Sequence, residues 1–99
     1  MELTNPQKKK LKGFAHDLHP LVTIGQKGLK ESIHDEIETA LDFHQLVKVK
    51  VMADDRDQRK DMIALIADKH KAMVIQTVGH IVVLYKRNND KTNLLSKKS

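Results

Sequence analysis

The sequence predicts an α+β domain with the element order α-β-α-β-α-β-β, whose four strands form one mixed sheet with helices packed on it. Three long segments carry apolar residues at helical spacing, and four shorter runs are rich in β-branched residues. The last two runs are separated by Gly79-His80 alone, and a two-residue link that begins with glycine is typical of a type II′ hairpin. Helical crossovers between the first three strands predict parallel neighbours, to which the hairpin adds an antiparallel strand.

The first helix is predicted over Asn5–Asp17, because Thr4 and Gln7 have the spacing of a capping box and Pro20 stops the helical pattern. Gly13 inside this helix costs about 1 kcal/mol relative to alanine, so we expect a close backbone approach there. The apolar positions of this helix are Leu11, Phe14, Ala15 and Leu18.

The first strand is predicted over Leu21–Ile24, and its mostly apolar residues indicate burial on both faces. Gly25-Gln26-Lys27-Gly28 supplies the turn that follows. The second helix is predicted over Leu29–His44. Its inward stripe consists of Leu29, Ile33, Ile37, Ala40 and Leu41.

The second strand is predicted over Leu46–Met52, where valines and lysines alternate and so mark one buried face and one wetter face. The valines are Val47, Val49 and Val51, and the lysines are Lys48 and Lys50. Asp54 or Asp55 can cap the third helix. The apolar set of that helix is Met62, Ile63, Leu65, Ile66 and Ala67, and the hairpin strands are Met73–Val78 and Ile81–Tyr85.

Size and composition exclude several classes of protein. A chain of 99 residues forms one domain, and the absence of cysteine excludes disulfide scaffolds, thiolate zinc sites and cysteine nucleophiles. The longest apolar run, Met62–Ala67, is far shorter than the roughly 18 residues of a membrane span. We expect a cytoplasmic, monomeric protein without a membrane association. We expect residues 1–87 to form the domain and residues 88–99 to form a basic, disordered tail.

The net charge of +5 is unevenly distributed along the chain. Residues 1–30 carry a net charge of +4 and residues 86–99 another +4, whereas residues 31–45 carry −5. Segregated signs at a pI near 9.5 favour one face that meets a polyanion. The alternative is that the lysines serve solubility alone.

The Gly25–Gly28 turn is the segment that can best hold a phosphate. Two glycines allow a sharp bend and a close approach by another chain, and the amides that open the next helix attract anions. Lys27 and Lys30 add positive charge to this turn. The lysines of the first helix can extend the same positive surface, and they are Lys8, Lys9, Lys10 and Lys12. Taken alone, a G-x-x-G motif is also compatible with an ordinary strand-to-helix turn. It does not match the Walker A or dinucleotide-binding patterns.

Four separated blocks together resemble the CRM domain, the chloroplast RNA splicing and ribosome maturation domain, in its bacterial stand-alone YhbY-like form. The resemblance covers about residues 3–87. The first three blocks are Leu11–His16, Pro20–Leu29 and Leu46–Lys50, and the fourth combines Val78–His80 with Val83–Lys86. The resemblance implies a fold similar to the C-terminal domain of translation initiation factor three. From the residues themselves, which show no local hydrolase signature, we expect neither enzymatic activity nor a cofactor.

The resemblance also implies RNA binding, with ribosomal RNA in precursors of the large (50S) subunit as the target and ribosomal proteins as possible neighbours. The residues that match the RNA-binding loop of the family are Gly25, Gln26, Lys27 and Gly28. We expect the adjoining basic surface to consist of Lys30, of Lys8, Lys9, Lys10 and Lys12 on the first helix, and of Lys48 and Lys50 if the wetter face of their strand is open. A different class of function stays open: an adaptor that binds a protein of the ribosome or a GTPase through the acidic second helix or the hairpin edge.

Other chemistries have weaker signals. The six histidines show no metal-binding spacing, and we expect them at surface or boundary positions, with His16 and His19 close enough to the basic segment to touch RNA. The carboxylates of the second helix follow the spacing of a solvated face. With few aromatic residues, the sheet lacks a base-stacking platform, so we expect recognition of phosphates, 2′-hydroxyls and RNA shape.

Overall fold

The computed structural model describes residues 3–25 and 28–96 and contains the seven predicted elements in the predicted order. They are α1 (Asn5–Ala15), β1 (Val22–Ile24), α2 (Glu31–His44), β2 (Leu46–Val51), α3 (Arg56–His70), β3 (Met73–Val78) and β4 (Ile81–Tyr85). A short 3₁₀ turn follows at Leu94–Ser96. Within these residues, each helix is too short or too polar to cross a bilayer.

The four strands form one mixed sheet in the order β1-β2-β4-β3. β1 and β2 pair in parallel, with Val22 opposite Val49, as the crossover rule predicts. β2 and β3 also run in the same direction but are not neighbours, because β4 pairs antiparallel with both of them. The expectation of parallel neighbours among the first three strands is therefore wrong for β3. Its hairpin partner takes the place beside β2.

α2 and α3 cover one face of the sheet. Ile37 and Leu41 of α2 and Ile66 of α3 are fully buried there against the inward side chains of the strands. Those side chains are Val22, Ile24, Val47, Val49, Val51, Val82 and Leu84. The valines of β2 confirm the predicted buried face. Burying one such side chain contributes about 1.5–3 kcal/mol, so this cluster fixes the register of the strands.

α1 covers part of the opposite face. Leu11 and Ala15 are buried against residues of the sheet, with Phe14 half-buried beside them. The other buried members of this cluster are Leu3, Leu46, Ile75, Val83 and Tyr85. On this face of the sheet, Thr23 of β1 is exposed. The prediction that the first strand is buried on both faces is therefore wrong.

The ends of the elements follow from local chemistry. The predicted capping box is present, since Thr4 accepts from the Gln7 amide and the Gln7 side chain accepts from the Thr4 amide. Asp55, the second of the two predicted candidates, caps α3 by accepting from the Asp57 amide. In the hairpin, Gly79 has a φ of +57° whereas His80 has a negative φ, as a type II′ turn requires.

A polar chain joins α2, α3 and the end of β4, and the sequence did not predict it. His34 and His70 are buried, with Nδ1 of His34 lying 3.0 Å from Nε2 of His70. Nδ1 of His70 lies 2.6 Å from a Glu38 oxygen, and Lys86 donates to the other oxygen at 2.8 Å. The expectation that the histidines occupy surface or boundary positions is wrong for these two. Their partners come from other helices.

Residues 88–96 of the expected tail are folded onto the domain. Gln45 donates to the carbonyl of Thr92 at 2.8 Å, and Lys10 Nζ donates to the carbonyl of Leu95 at 2.9 Å. Leu94 and Leu95 pack against the cluster under α1. This differs from the expected disorder, because the single apolar pair of the tail finds an apolar surface. Residues 97–99 lie outside the described residues.

Candidate nucleic-acid interface

Three connections meet at one end of the sheet, which we call the loop end: Gly25–Gly28, the segment 52–55, and the hairpin Gly79-His80. β1, β2 and β3 all point toward it, because they run in the same direction. The Met52 amide donates to the Ile24 carbonyl at 2.9 Å, and the Val51 amide donates to the His80 carbonyl at 2.7 Å. These bonds join the ends of the strands to the connections around them. The loop end is thus anchored to the core of the sheet.

The Gly25–Gly28 turn is closed by a hydrogen bond from the Gly28 amide to the Gly25 carbonyl at 3.0 Å. Gly28 has a φ of +84°, which favours glycine, whereas Gly25 does not have a positive φ. A Cβ added at either position would meet no atom of the described residues within 4 Å. Packing against those residues therefore does not require glycine at position 25, and they leave its backbone open to a close approach from outside. Gln26 and Lys27, which the sequence assigned to this turn, lie outside the described residues.

The N-terminus of α2 follows this turn. Its N-cap residue is Lys30, whose side chain cannot accept a hydrogen bond, and the first helical bonds run from Ile33 and His34 to the Lys30 carbonyl. The amides of Glu31 and Ser32 precede those bonds and point out of the helix end, where the helix dipole favours an anion. The exposed carboxylate of Glu31 opposes an anion at the same end. An anion at this helix end therefore needs the positive charge of Lys30 to offset the repulsion from Glu31.

A basic face lies beside the turn, on the side of the sheet that α1 leaves partly open. Lys48 and Lys50 project there, and Lys50 is paired in register with Thr23, two residues before Gly25. Lys48, His16 and Lys12 border a cavity of about 280 Å³ that has no acidic lining residue in the described parts of the chain. We define the basic face as Lys12, His16, Lys48 and Lys50. It contains three of the predicted lysines and one of the two predicted histidines.

The remaining lysines of α1 are not all directed toward this face. The ammonium group of Lys10 donates a hydrogen bond to the Leu95 carbonyl, so this side chain faces the C-terminal segment. Lys8 is half-buried, whereas Lys9 is exposed three residues before Lys12 and continues the same ridge of the helix. Gly13 is exposed on this ridge, and a Cβ there would meet nothing within 4 Å, so the close approach expected at Gly13 does not come from the described part of this chain.

A second group of cations lies at the loop end, and none of its members is among the RNA-binding residues expected from the sequence. Arg56, Arg59 and Lys60 line a cavity of about 510 Å³ beside the hairpin, together with Thr77 and Gly79. Arg59 is held in place by hydrogen bonds from Nη1 to the carbonyls of Ala53 and Asp54, at 2.8 and 3.0 Å. Arg56, Arg59 and Lys60 have i, i+3, i+4 spacing and therefore share one face of the helix. This spacing is the sequence signal that could have identified them as a group.

Acidic groups limit the direction from which a polyanion can reach the turn. Asp54 and Asp55 line a cavity of about 340 Å³ that also contains Gly25 and Gly28. The Asp55 carboxylate accepts from the Asp57 amide, and the N-terminus of α3 offsets part of its charge. Asp54 has no such partner among the described residues. A phosphate chain therefore meets less repulsion when it approaches from the basic face.

The aromatic side chains do not form a stacking surface on the described sheet. Tyr85 is fully buried and Phe14 is half-buried, whereas Phe43 is 66% exposed but lies on α2. Within residues 3–25 and 28–96, no group of three potential metal ligands comes together. The chemistry that the loop end offers is therefore charge, open backbone and hydrogen-bond donors.

Known proteins are similar to this chain in sequence and in fold. The CRS1/YhbY (CRM) domain family matches residues 3–86. An RNA-binding protein of Haemophilus influenzae is 46% identical over 88 residues, which cover 89% of each chain. A probable RNA-binding protein of Pseudomonas aeruginosa is 33% identical over 88 residues, covering 89% of this chain and 85% of that protein.

A solved structure agrees with these sequence matches. The solution structure of a hypothetical RNA-binding protein of Staphylococcus aureus superposes with a TM-score of 0.79 at 26% identity, covering 92% of this chain and 95% of that one. The expected fold class is confirmed, and so is the resemblance drawn from the four blocks. Because the family match spans nearly the whole described chain, the protein belongs to the CRS1/YhbY (CRM) domain family.

Proposed function

We propose that this protein is a non-enzymatic, cytoplasmic RNA-binding protein that grips the phosphate backbone of structured RNA at the loop end. One observation carries the proposal: Gly25, where an added Cβ would meet no described atom within 4 Å, lies two residues after Thr23, the register partner of Lys50. The names of the relatives, which describe RNA-binding proteins, support the same partner.

The mode of binding follows from the donor set. Lysines of the basic face neutralise phosphates, backbone amides near Gly28 and at the start of α2 donate to phosphate oxygens, and the glycines allow the RNA to come close. Since the described sheet offers no exposed aromatic side chain, base identity contributes little. If about 4–6 phosphates are neutralised, the logarithm of the affinity falls with the logarithm of salt concentration at a slope of roughly −3 to −5.

The proposed target is ribosomal RNA in precursors of the large subunit, with ribosomal proteins nearby and the protein acting as an assembly factor. This part rests on the family to which the chain belongs. Crosslinking in cells followed by sequencing of the attached RNA tests it. Fragments of large-subunit ribosomal RNA would support the target, whereas reads scattered over messenger RNA would refute it.

The turn itself is tested by Gly25→Asp and Gly28→Asp, each of which adds a Cβ and a negative charge. We expect each variant to lose at least about tenfold in RNA affinity at matched salt, equivalent to about 1.4 kcal/mol. Gly25→Asp is the cleaner variant, because Gly28→Asp also strains a residue with positive φ by about 1–2 kcal/mol. Asn89→Asp, an exposed site in the C-terminal segment, is the control with the same charge change.

The basic face is tested by the salt dependence of binding. Lys50→Ala and Lys48→Ala should each reduce the slope by about one unit, because each removes one phosphate contact. Lys91→Ala removes one charge near Phe43, away from the loop end, and should leave the slope unchanged. Equal affinities and slopes for all these variants would show that RNA binds elsewhere.

A further inference from the structure

An apolar groove lies between α2 and the outer edge of β1, on the face of the sheet opposite to α1. It has a volume of about 480 Å³. Leu21 and Phe43 border it with 56% and 66% of their surface exposed, and Val22 and Ala40 also line it. Two large apolar side chains exposed beside one groove are typical of a surface that binds another molecule.

The charged residues of this groove are acidic. Asp35 and Glu36 line it, and no lysine or arginine does so within the described ranges. Of the five carboxylates between residues 31 and 45, Glu38 is paired with Lys86, whereas the other four are exposed and have no ion-pair partner in the described structure. This concentration of negative charge in a protein of net charge +5 repels RNA and attracts cations.

Phe43 already binds a cation of this chain. The ammonium of Lys91 lies 4.7 Å from the centre of its ring, in the geometry of a cation–π contact. His44 packs edge-on against the same ring with 4.7 Å between the ring centres. The ring is therefore positioned by contacts within the chain and still leaves most of its surface free, as a preorganised anchor for a partner should.

The backbone at the groove is also open. β1 is the last strand of the sheet, so one of its edges has no strand neighbour in the described structure. The Leu21 amide donates to the Lys48 carbonyl, which fixes Leu21 to the sheet and holds its side chain at the mouth of the groove. The wall of the groove that β1 forms is therefore hydrogen-bonded to β2.

We propose that this groove binds a lysine- or arginine-rich segment of a protein, with one apolar side chain of the segment placed between Leu21 and Phe43. The basic groups of the segment pair with Asp35 and Glu36. Charge complementarity selects this occupant over RNA, whose phosphates the two carboxylates repel. This inference goes beyond the proposed RNA interface and does not depend on it, since the two surfaces share no residue.

A labelled lysine-rich peptide with a single leucine is a suitable probe, and the same peptide with glutamate in place of lysine is its control. We expect the lysine peptide to bind the full-length protein in fluorescence anisotropy, and the glutamate peptide not to bind. In amide NMR spectra, we expect the lysine peptide to shift resonances of Leu21, Thr39 and Phe43. Shifts confined to the basic face or to α3 would overturn the proposal.

Charge and apolar variants separate specific docking from general attraction. Asp35→Lys with Glu36→Lys should weaken peptide binding by at least about tenfold, because each replaces an attraction by a repulsion. Asp61→Lys with Asp68→Lys makes the same charge change at exposed sites on α3 and should change the affinity less than about twofold. Equal losses in the two double variants would refute the groove.

Phe43→Ala tests the apolar anchor and should also reduce peptide affinity, without loss of the folded spectrum, since this side chain is mostly exposed. Self-association of the free protein that Phe43→Ala abolishes would overturn the proposal in favour of a second copy as the occupant. RNA that competes with the peptide for the same resonances would overturn it as well. The Gly25→Asp variant should bind the peptide normally, so failure of the RNA proposal is distinguishable from failure of this one.

Discussion

The buried pair of histidines makes stability sensitive to mild acid. The pKa of His34 lies below its ordinary value of 6.5, because burial disfavours the charged ring and because Lys69 and His70 add positive potential, with Asp35 and Glu31 opposing them more weakly. The unfolded chain therefore binds this proton more tightly than the folded protein does. Acidification below pH 6.5 accordingly favours unfolding.

The size of the effect follows from one proton that the unfolded chain binds and the folded protein excludes. The proton concerned is the one that His34 binds in the unfolded chain and that burial of the ring disfavours in the folded protein. If the folded protein excludes the extra proton, the free energy of unfolding falls by at most about 1.3 kcal/mol between pH 7 and pH 5.5. The pKa of Glu38 also lies below its ordinary value, through hydrogen bonds from Lys86 and His70. Its stabilising contribution is present above pH 4.5 and is lost as the pH falls below that value, outside this window.

Urea unfolding at several pH values between 5.5 and 7 measures this dependence. We expect His34→Gln to have a smaller pH slope than the parent, whatever its absolute stability. His19→Gln, which changes an exposed histidine, should keep the parental slope. A parental slope of zero, or one that His34→Gln leaves unchanged, would refute the reasoning.

Three further variants test the packing. Tyr85→Phe should raise the free energy of unfolding by about 1 kcal/mol, because the buried hydroxyl has no hydrogen-bond partner in the described structure; a loss of stability in urea titration would contradict this. Thr4→Ala should lower the free energy of unfolding by about 1 kcal/mol. Adding Gln7→Ala should lower it little further, because the two side chains cap α1 reciprocally. Additive losses of stability in thermal melts would argue against the capping box. Replacing Leu94 and Leu95 with serine should cost about 1 kcal/mol at each site, since both are half-buried; an unchanged midpoint in urea would mean that the segment adds nothing.

Much of the fold could be predicted because local patterns and tertiary packing agree. The alternation in β2 and the glycine of the hairpin each specify one structure. The position of β4 between β2 and β3 was missed, although the uninterrupted apolar run Ile81–Tyr85 is typical of a strand buried on both faces. In the first strand, the polar residue Thr23 between two apolar residues was the sign that one face of the strand is exposed.

The candidate site was less predictable because its components come from separate elements. Charge counting identified the lysines but could not show that Lys10 faces the C-terminal segment while Lys12 faces Lys48. Arg59 was not among the expected RNA-binding residues, because charge along the sequence does not show which groups share a cavity. The pairing of His34 with His70 depends on how two helices pack, and no spacing along the chain encodes it.

The alternation of β2 has a consequence for how the protein can change. Val47, Val49 and Val51 are fully buried on one side, while Lys48 and Lys50 occupy the positions between them on the other. A slip of one residue would drive ammonium groups into the apolar interior, so the spacing of these charges is as fixed as the interior itself. Substitutions can retune the chemistry of the outward positions one at a time, but their geometry can change only if the whole domain rearranges.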